Sequence, residues 1–90
     1  MSATLIVRHK VADYAAWRKV FDEVEPLRVK YGSTGHHVMH IPGDPNDLVA
    51  VHHFASLSTA EGFTSDPELR EAMQRGGVVG APHIEILEDK

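Results

Sequence analysis

The stretch Thr34–Phe54, TGHHVMHIPGDPNDLVAVHHF, decides the fold. Its flanks, Thr34–Ile41 and Leu48–Phe54, are short β-rich runs, and the middle, Pro42–Asp47 (PGDPND), is dense in residues that favour turn geometry. The pattern predicts two strands joined as a hairpin. Five of the seven histidines lie within it, so the segment that sets the topology also raises the question of function.

On the N-terminal side, Thr4–Lys10 (TLIVRHK) reads as another strand. Asp13 offers a helix N-cap, and Tyr14, Trp17, Val20, Phe21, Val24 and Leu27 then recur at three- and four-residue spacing as one helical stripe. Pro26 removes a backbone donor and predicts a kink or restart there, and Gly32 closes the helix. On the C-terminal side, Ser58–Glu61 (STAE) has the form of a capping box, and Pro67 in SDPE (Ser65–Glu68) suits a first helical position. The second helix is therefore expected as two pieces, Ser58–Thr64 and Pro67–Gln74, ended by Gly76 and Gly77. Arg75–Pro82 (RGGVVGAP) reads as a flexible loop that sets the start of the last strand, His83–Leu87.

The order β-α-β-β-α-β over residues 1–90 predicts one α+β domain of ferredoxin-like topology, a four-stranded antiparallel sheet with its helices on one face. The strands are apolar on both sides, with Leu5 and Val7 against Ile6, and Val49 and Val51 against Leu48, Ala50 and Phe54. A sheet wet on one side alternates more cleanly. The second face is thus expected to be covered by another copy, making a homodimer. A chain of 90 residues also gains from the extra burial.

Composition narrows the partners. The net charge is −4 with histidines neutral, and nine basic residues are scattered among thirteen acidic ones, which argues against nucleic acid. The absence of cysteine removes disulfides, zinc–thiolate sites and cysteine nucleophiles. MSATLIVRHK lacks the form of a signal peptide, and no run approaches the roughly 20 apolar residues of a membrane span. A cytoplasmic protein without membrane contact is expected.

Two segments carry a family resemblance. Gly43–Met73, GDPNDLVAVHHFASLSTAEGFTSDPELREAM, and Arg8–Asp22, RHKVADYAAWRKVFD, resemble the dimeric α/β-barrel superfamily, in particular the small antibiotic biosynthesis monooxygenase-like proteins. The resemblance implies two ferredoxin-like protomers closing their sheets into a barrel, each with a small cavity between sheet and helices or loops. It implies chemistry drawn from cofactor-free monooxygenases, cyclase-like enzymes, isomerases and haem-degrading enzymes. The haem-degrading branch carries a histidine ligand on the second helix, and Ser58–Gln74 holds none, so no cofactor is expected. Monooxygenase-type members use a polar set with Asn, Trp and Tyr. Trp17 is present here, whereas the only asparagine, Asn46, falls in the turn.

The histidines do not read as a metal site. His36 and His40 share a strand face but stand roughly 13 Å apart, and the pairs His36–His37 and His52–His53 point to opposite faces. Pairing Ile41 with Val49 across the turn places His37 opposite His53, on a side with Met39, Ile41, Val49 and Val51. That side is the more β-branched and is expected to meet the helices. The other side carries His36, Val38, His40, Leu48, Ala50, His52 and Phe54 and suits a cavity with polar groups. His40 and His52 are then the candidate catalytic bases, since an imidazole accepts and donates protons near neutral pH. Arg8, His9, Trp17, His36 and Phe54 are the candidate ligand-binding residues. The expected function is the handling of a small apolar, aromatic or polyketide-like molecule by a cofactor-independent monooxygenase or cyclase-type enzyme. The alternative is a non-catalytic, ligand-binding or stress-related dimer, and a metal- or haem-dependent enzyme ranks third.

Overall fold

β1 (Ala3–Val11) alternates along its whole length: Ala3, Leu5, Val7, His9 and Val11 are buried, and the residues between them are half-buried or exposed. This period of two marks a strand with one face under a layer of helices. The structure is a computed structural model describing residues 2–90. It continues with α1 (Tyr14–Glu23), α2 (Glu25–Lys30), β2 (Ser33–Ile41), β3 (Asp44–Phe54), α3 (Leu57–Ser65), α4 (Pro67–Arg75) and β4 (Val78–Glu88). The sheet is antiparallel, in the order β2-β3-β1-β4. This is the ferredoxin-like α+β arrangement, with each expected helix divided in two.

Each division has a local cause. Val24 ends α1, and Pro26 sits in the first turn of α2, where a missing N–H costs nothing. Asp66 separates α3 from α4, accepts a hydrogen bond from the Glu68 N–H, and is followed by Pro67. Asp13 caps α1 by accepting from Ala16 N. The cap of α3 is Ser56, not Ser58. Its Oγ accepts from Thr59 N while the Thr59 hydroxyl donates back to the Ser56 carbonyl, so the cap lies two residues earlier than the STAE pattern suggests and the helix begins at Leu57. Tyr31 ties α2 to α4, its hydroxyl donating to the Asp66 carboxylate at 2.6 Å.

The strands differ from expectation in ways that matter for the site. PGDPND does not form one loop. Ile41 pairs with Asp44, so the hairpin turns on Pro42 and Gly43 alone, Gly43 adopting the positive φ of 86° that its missing Cβ permits. Pro45, Asn46 and Asp47 bulge out of β3 before pairing resumes at His40–Leu48. The bulge gives Asn46 a task, since its Oδ1 accepts from Tyr14 N at the start of α1. Because of it the register is His36–His52 and Met39–Val49, two residues away from the pairing read in sequence, and His37 meets Val51 rather than His53. A shift of two preserves side-chain parity.

The expectation about faces is reversed. The side bearing Leu48, Ala50, His52 and Phe54 is the one buried beneath the helices, and Met39, Val49, Val51 and His53 lie on the open side. β1 supplies the reason: its buried residues Leu5, Val7 and His9 pair with His52, Ala50 and Leu48. Nor is Arg75–Pro82 a loop. β4 begins at Val78, and Gly80, Ala81 and Pro82 bulge opposite His9, with Gly80 at φ 74°.

Two apolar clusters fill the space between sheet and helices. One joins Ala3, Leu5, Val7, Leu27, Phe54, Ala60 and Phe63; the other joins Val11, Trp17, Phe21, Leu48 and Ala50. Leu5 is fully buried in the first, whereas Val29 on α2 is 65% exposed. In urea denaturation Leu5→Ala is expected to lower the unfolding free energy by about 2–5 kcal/mol. Val29→Ala should change it by no more than about 0.5 kcal/mol.

Candidate functional site

Where the two clusters meet, the packing leaves a cavity of about 40 Å³ between sheet and helices. Its floor is the cross-strand pair Val7–Ala50, and Ala50 is small enough to leave the space open. His9 stands two residues from Val7 along β1 and His52 two residues from Ala50 along β3. Antiparallel pairing sends them to opposite ends, His9 beside Leu48 and His52 beside Leu5, roughly 13 Å apart along the strands. The roof comes from Trp17, Val20 and Phe21 of α1, Val24 at the junction with α2, Arg28 of α2, Phe63 of α3, and Leu69, Ala72 and Met73 of α4.

Both imidazoles are buried, His9 at 6% and His52 at 4% exposure. Neither nitrogen of His9 has a protein partner, and Nδ1 of His52 has none. Leaving a buried polar group unpaired costs about 1–3 kcal/mol, so these atoms mark places where water or a ligand is wanted. Aromatic rings hold them in place. His9 meets Trp17 edge-on at 5.5 Å between centroids, and His52 sits among Phe21, Phe54 and Phe63 at 5.9, 6.4 and 5.5 Å.

Burial depresses both groups. His9 is pushed below the usual imidazole range by desolvation. His52 falls to about 3, through desolvation first and then the positive fields of Arg28, His36 and His53. His36 is also lowered, by desolvation and then by Arg28. At neutral pH the cavity therefore presents neutral imidazoles, each with one N–H and one lone pair.

Arg28 is the site residue that the sequence reading missed. Its guanidinium is buried, donates from Nη2 to the Phe21 carbonyl at 2.7 Å and from Nε to Glu25 at 2.8 Å, and lies over the Phe21 ring at 4.1 Å. A signal existed. Positions 17, 21, 24 and 28 keep helical spacing on the buried stripe, and a charge at the last of them breaks the apolar pattern.

The structure divides the residues singled out in sequence. His9, Trp17 and His52 line the cavity. His36 and Phe54 stand behind His52, at 6.0 and 6.4 Å from its ring, and do not line it. His40 shares the face of His52 but lies apart from the cavity. It is exposed beside Tyr14, Val38 and Pro45, with Nδ1 3.1 Å from the Ile41 carbonyl oxygen. Arg8 is on the open side of the sheet, paired with Asp47 at 3.2 Å, and each holds the other in its charged form. Among the described residues no three His, Asp or Glu side chains converge to hold a metal ion, and no helix is long and apolar enough to cross a membrane.

No family model matches the chain, and no curated protein does. Solved structures do. SnoaB, a cofactor-independent oxygenase from Streptomyces nogalater, superposes with a TM-score of 0.80 at 12% identity, covering 99% of this chain and 93% of that one. A Bordetella bronchiseptica protein described as a candidate antibiotic biosynthesis monooxygenase gives 0.81 at 13% identity, covering 99% and 97%. Rv0793 from Mycobacterium tuberculosis gives 0.74 at 16%, covering 100% and 96%. The chain has the ferredoxin-like fold of the antibiotic biosynthesis monooxygenase-like proteins, as Arg8–Asp22 and Gly43–Met73 suggested. Identities this low establish the fold alone.

The buried imidazole makes folding pH-dependent. Below about pH 6.5 the unfolded chain takes up a proton on His52 that the folded chain refuses until about pH 3, so stability is lost as pH falls through that window. At pH 4.5 the loss from His52 alone is expected to be about 2–3 kcal/mol. Urea midpoints between pH 7 and 4.5 measure it, and His52→Gln should flatten the slope by about one proton.

Proposed function

We propose that the chain acts as a homodimeric, cofactor-independent monooxygenase or cyclase-type enzyme on an aromatic or polyketide-like compound held in the cavity between His9 and His52. The observation that carries this reading is a pair of nine-tenths-buried imidazoles with unpartnered nitrogens at the two ends of a pocket whose only other polar side chain is Arg28. Ligand sites are apolar enclosures with few convergent polar groups. A fold shared with SnoaB, a cofactor-independent oxygenase, supports the same class of chemistry.

The reaction starts with proton removal. In the empty pocket His52 is a weak base, because nothing offsets the desolvation of its cation. A bound substrate changes that: transferring a phenolic or enolic proton to His52 creates an anion beside the new imidazolium, and the pair stabilises both charges. The electron-rich carbanion then reacts with dioxygen, and the imidazolium returns its proton to the resulting peroxide. Loss of water converts a methylene to a carbonyl, so one O₂ is consumed, one oxygen atom enters product and the other leaves as water. In a cyclase-type reaction the same base generates an enolate that attacks an internal carbonyl.

The cavity volume sets a size limit. Its volume of about 40 Å³ is below the about 150 Å³ that admits benzene. Entry of a ring requires Leu69 and Met73, half-buried on the short α4, to swing aside. The same smallness favours the second reading, a non-catalytic dimer that binds a small ligand. The two readings part in one assay. With hydroxylated aromatic ketones under oxygen, the enzyme reading predicts oxygen uptake with kcat lowered about 10²–10⁴-fold by His52→Gln. The binding reading predicts a higher melting temperature and no uptake.

The homodimer is supported by the open side of the sheet. Ile6, Val49 and Val51 are half-buried there, and Met39 and Leu87 are 47% and 49% exposed. Apolar side chains across a whole sheet face favour burial by a second copy. Light scattering at low micromolar concentration is expected to give twice the chain mass. Val51→Glu at the centre of that face should halve it while far-ultraviolet circular dichroism stays unchanged. A wild-type mass of one chain overturns the dimer.

A further inference from the structure

The charge around the cavity is one-sided. Arg28, His9 and His52 are its polar lining, and no carboxylate lines it. Glu25 does pair with Arg28, but from the solvent side: the Glu25 side chain is 52% exposed, against 3% for Arg28. Water therefore screens the carboxylate far more than the guanidinium, and the field inside is that of Arg28. At His36 the influence of Arg28 outweighs that of Glu25, as this asymmetry requires. The remaining lining is hydrocarbon and aromatic, which strengthens any charge–charge attraction within it.

We infer that Arg28 is a specificity-determining residue, and that the cavity takes a small aromatic acid, a phenol or enol whose oxygen binds as the anion between Arg28 and His52. The inference rests on the proposed use of this cavity and adds the group that stabilises the anion once the substrate oxygen has lost its proton. Phe21 fixes the guanidinium through its carbonyl and its ring face, so the donor is set before ligand arrives. The His52 imidazole, unpartnered at Nδ1, supplies the second contact to the same oxygen. A neutral ring of equal shape gains the apolar contacts but not this pair.

The probes are 4-nitrophenol, used above the pH at which it ionises, and nitrobenzene, its neutral counterpart. Trp17, the only tryptophan, lines the cavity and reports binding through fluorescence quenching. Wild-type protein is expected to bind the phenolate about 10- to 100-fold more tightly than nitrobenzene, the range of a charge-assisted hydrogen bond. Arg28→Met should bring the two affinities together by weakening only the phenolate. Circular dichroism checks its fold, and Arg28→Lys, which keeps the charge, should retain part of the preference. Equal affinities in the wild-type protein, or a preference that survives Arg28→Met, overturn the role of Arg28 while leaving the cavity as a binding site. Failure of both probes to bind overturns the cavity as a binding site as well.

Discussion

The rest of the structure depends on parity in the two central strands. β1 and β3 lie side by side, and their helix-facing residues alternate without interruption: Ala3, Leu5, Val7 and His9 on one, Leu48, Ala50, His52 and Phe54 on the other. Once Leu5, Val7, Leu48 and Phe54 go under the helices, the period of two carries His9 and His52 in with them. The imidazoles are held inside by the hydrophobic burial of their neighbours. That burial is also what strips them of water and keeps them neutral.

A polar group forced into an apolar layer makes that layer a site only if something keeps space beside it. Ala50 does so on the sheet and Ala72 on α4, both almost fully buried and both too small to fill the seam between the core clusters. Arg28 completes the arrangement from above. At the break between α1 and α2 the Phe21 carbonyl accepts from Val24 N at 3.2 Å and from the Arg28 guanidinium at 2.7 Å, so the disruption associated with Pro26 and the placement of the buried charge are parts of one local structure. Tyr31, held by Asp66, ties this short helix to the start of α4.

The bulges do comparable work on the sheet. The register that follows Pro45–Asp47 differs by two residues from the pairing read in sequence, which preserves the face of every histidine while changing its neighbours, and Asn46 is spent on the start of α1. An asparagine that looks in sequence like a turn residue is thus a capping group. It stands outside the cavity, at the end where α1 meets the hairpin. Gly80–Pro82 leave His9 opposite a bulge on one side and paired with Leu48 on the other.

The sequence by itself determined the order of elements, the division of each helix at Pro26 and Pro67, the sharing of faces by His36, His40, His52 and Phe54, and the resemblance that proved to be one of fold. Each of these is local, carried by periodicity and by residues whose backbone preferences need no partner. Tertiary structure alone decided which face the helices cover, because both faces of β2 and β3 are apolar and only the pairing with β1 breaks the tie. It alone separated His52 from His40, since a shared face does not place two residues under the same helices. It also brought Arg28 of α2 and His52 of β3 to the lining of one cavity. No spacing along the chain encodes that two elements will share a space that exists only after the sheet has formed.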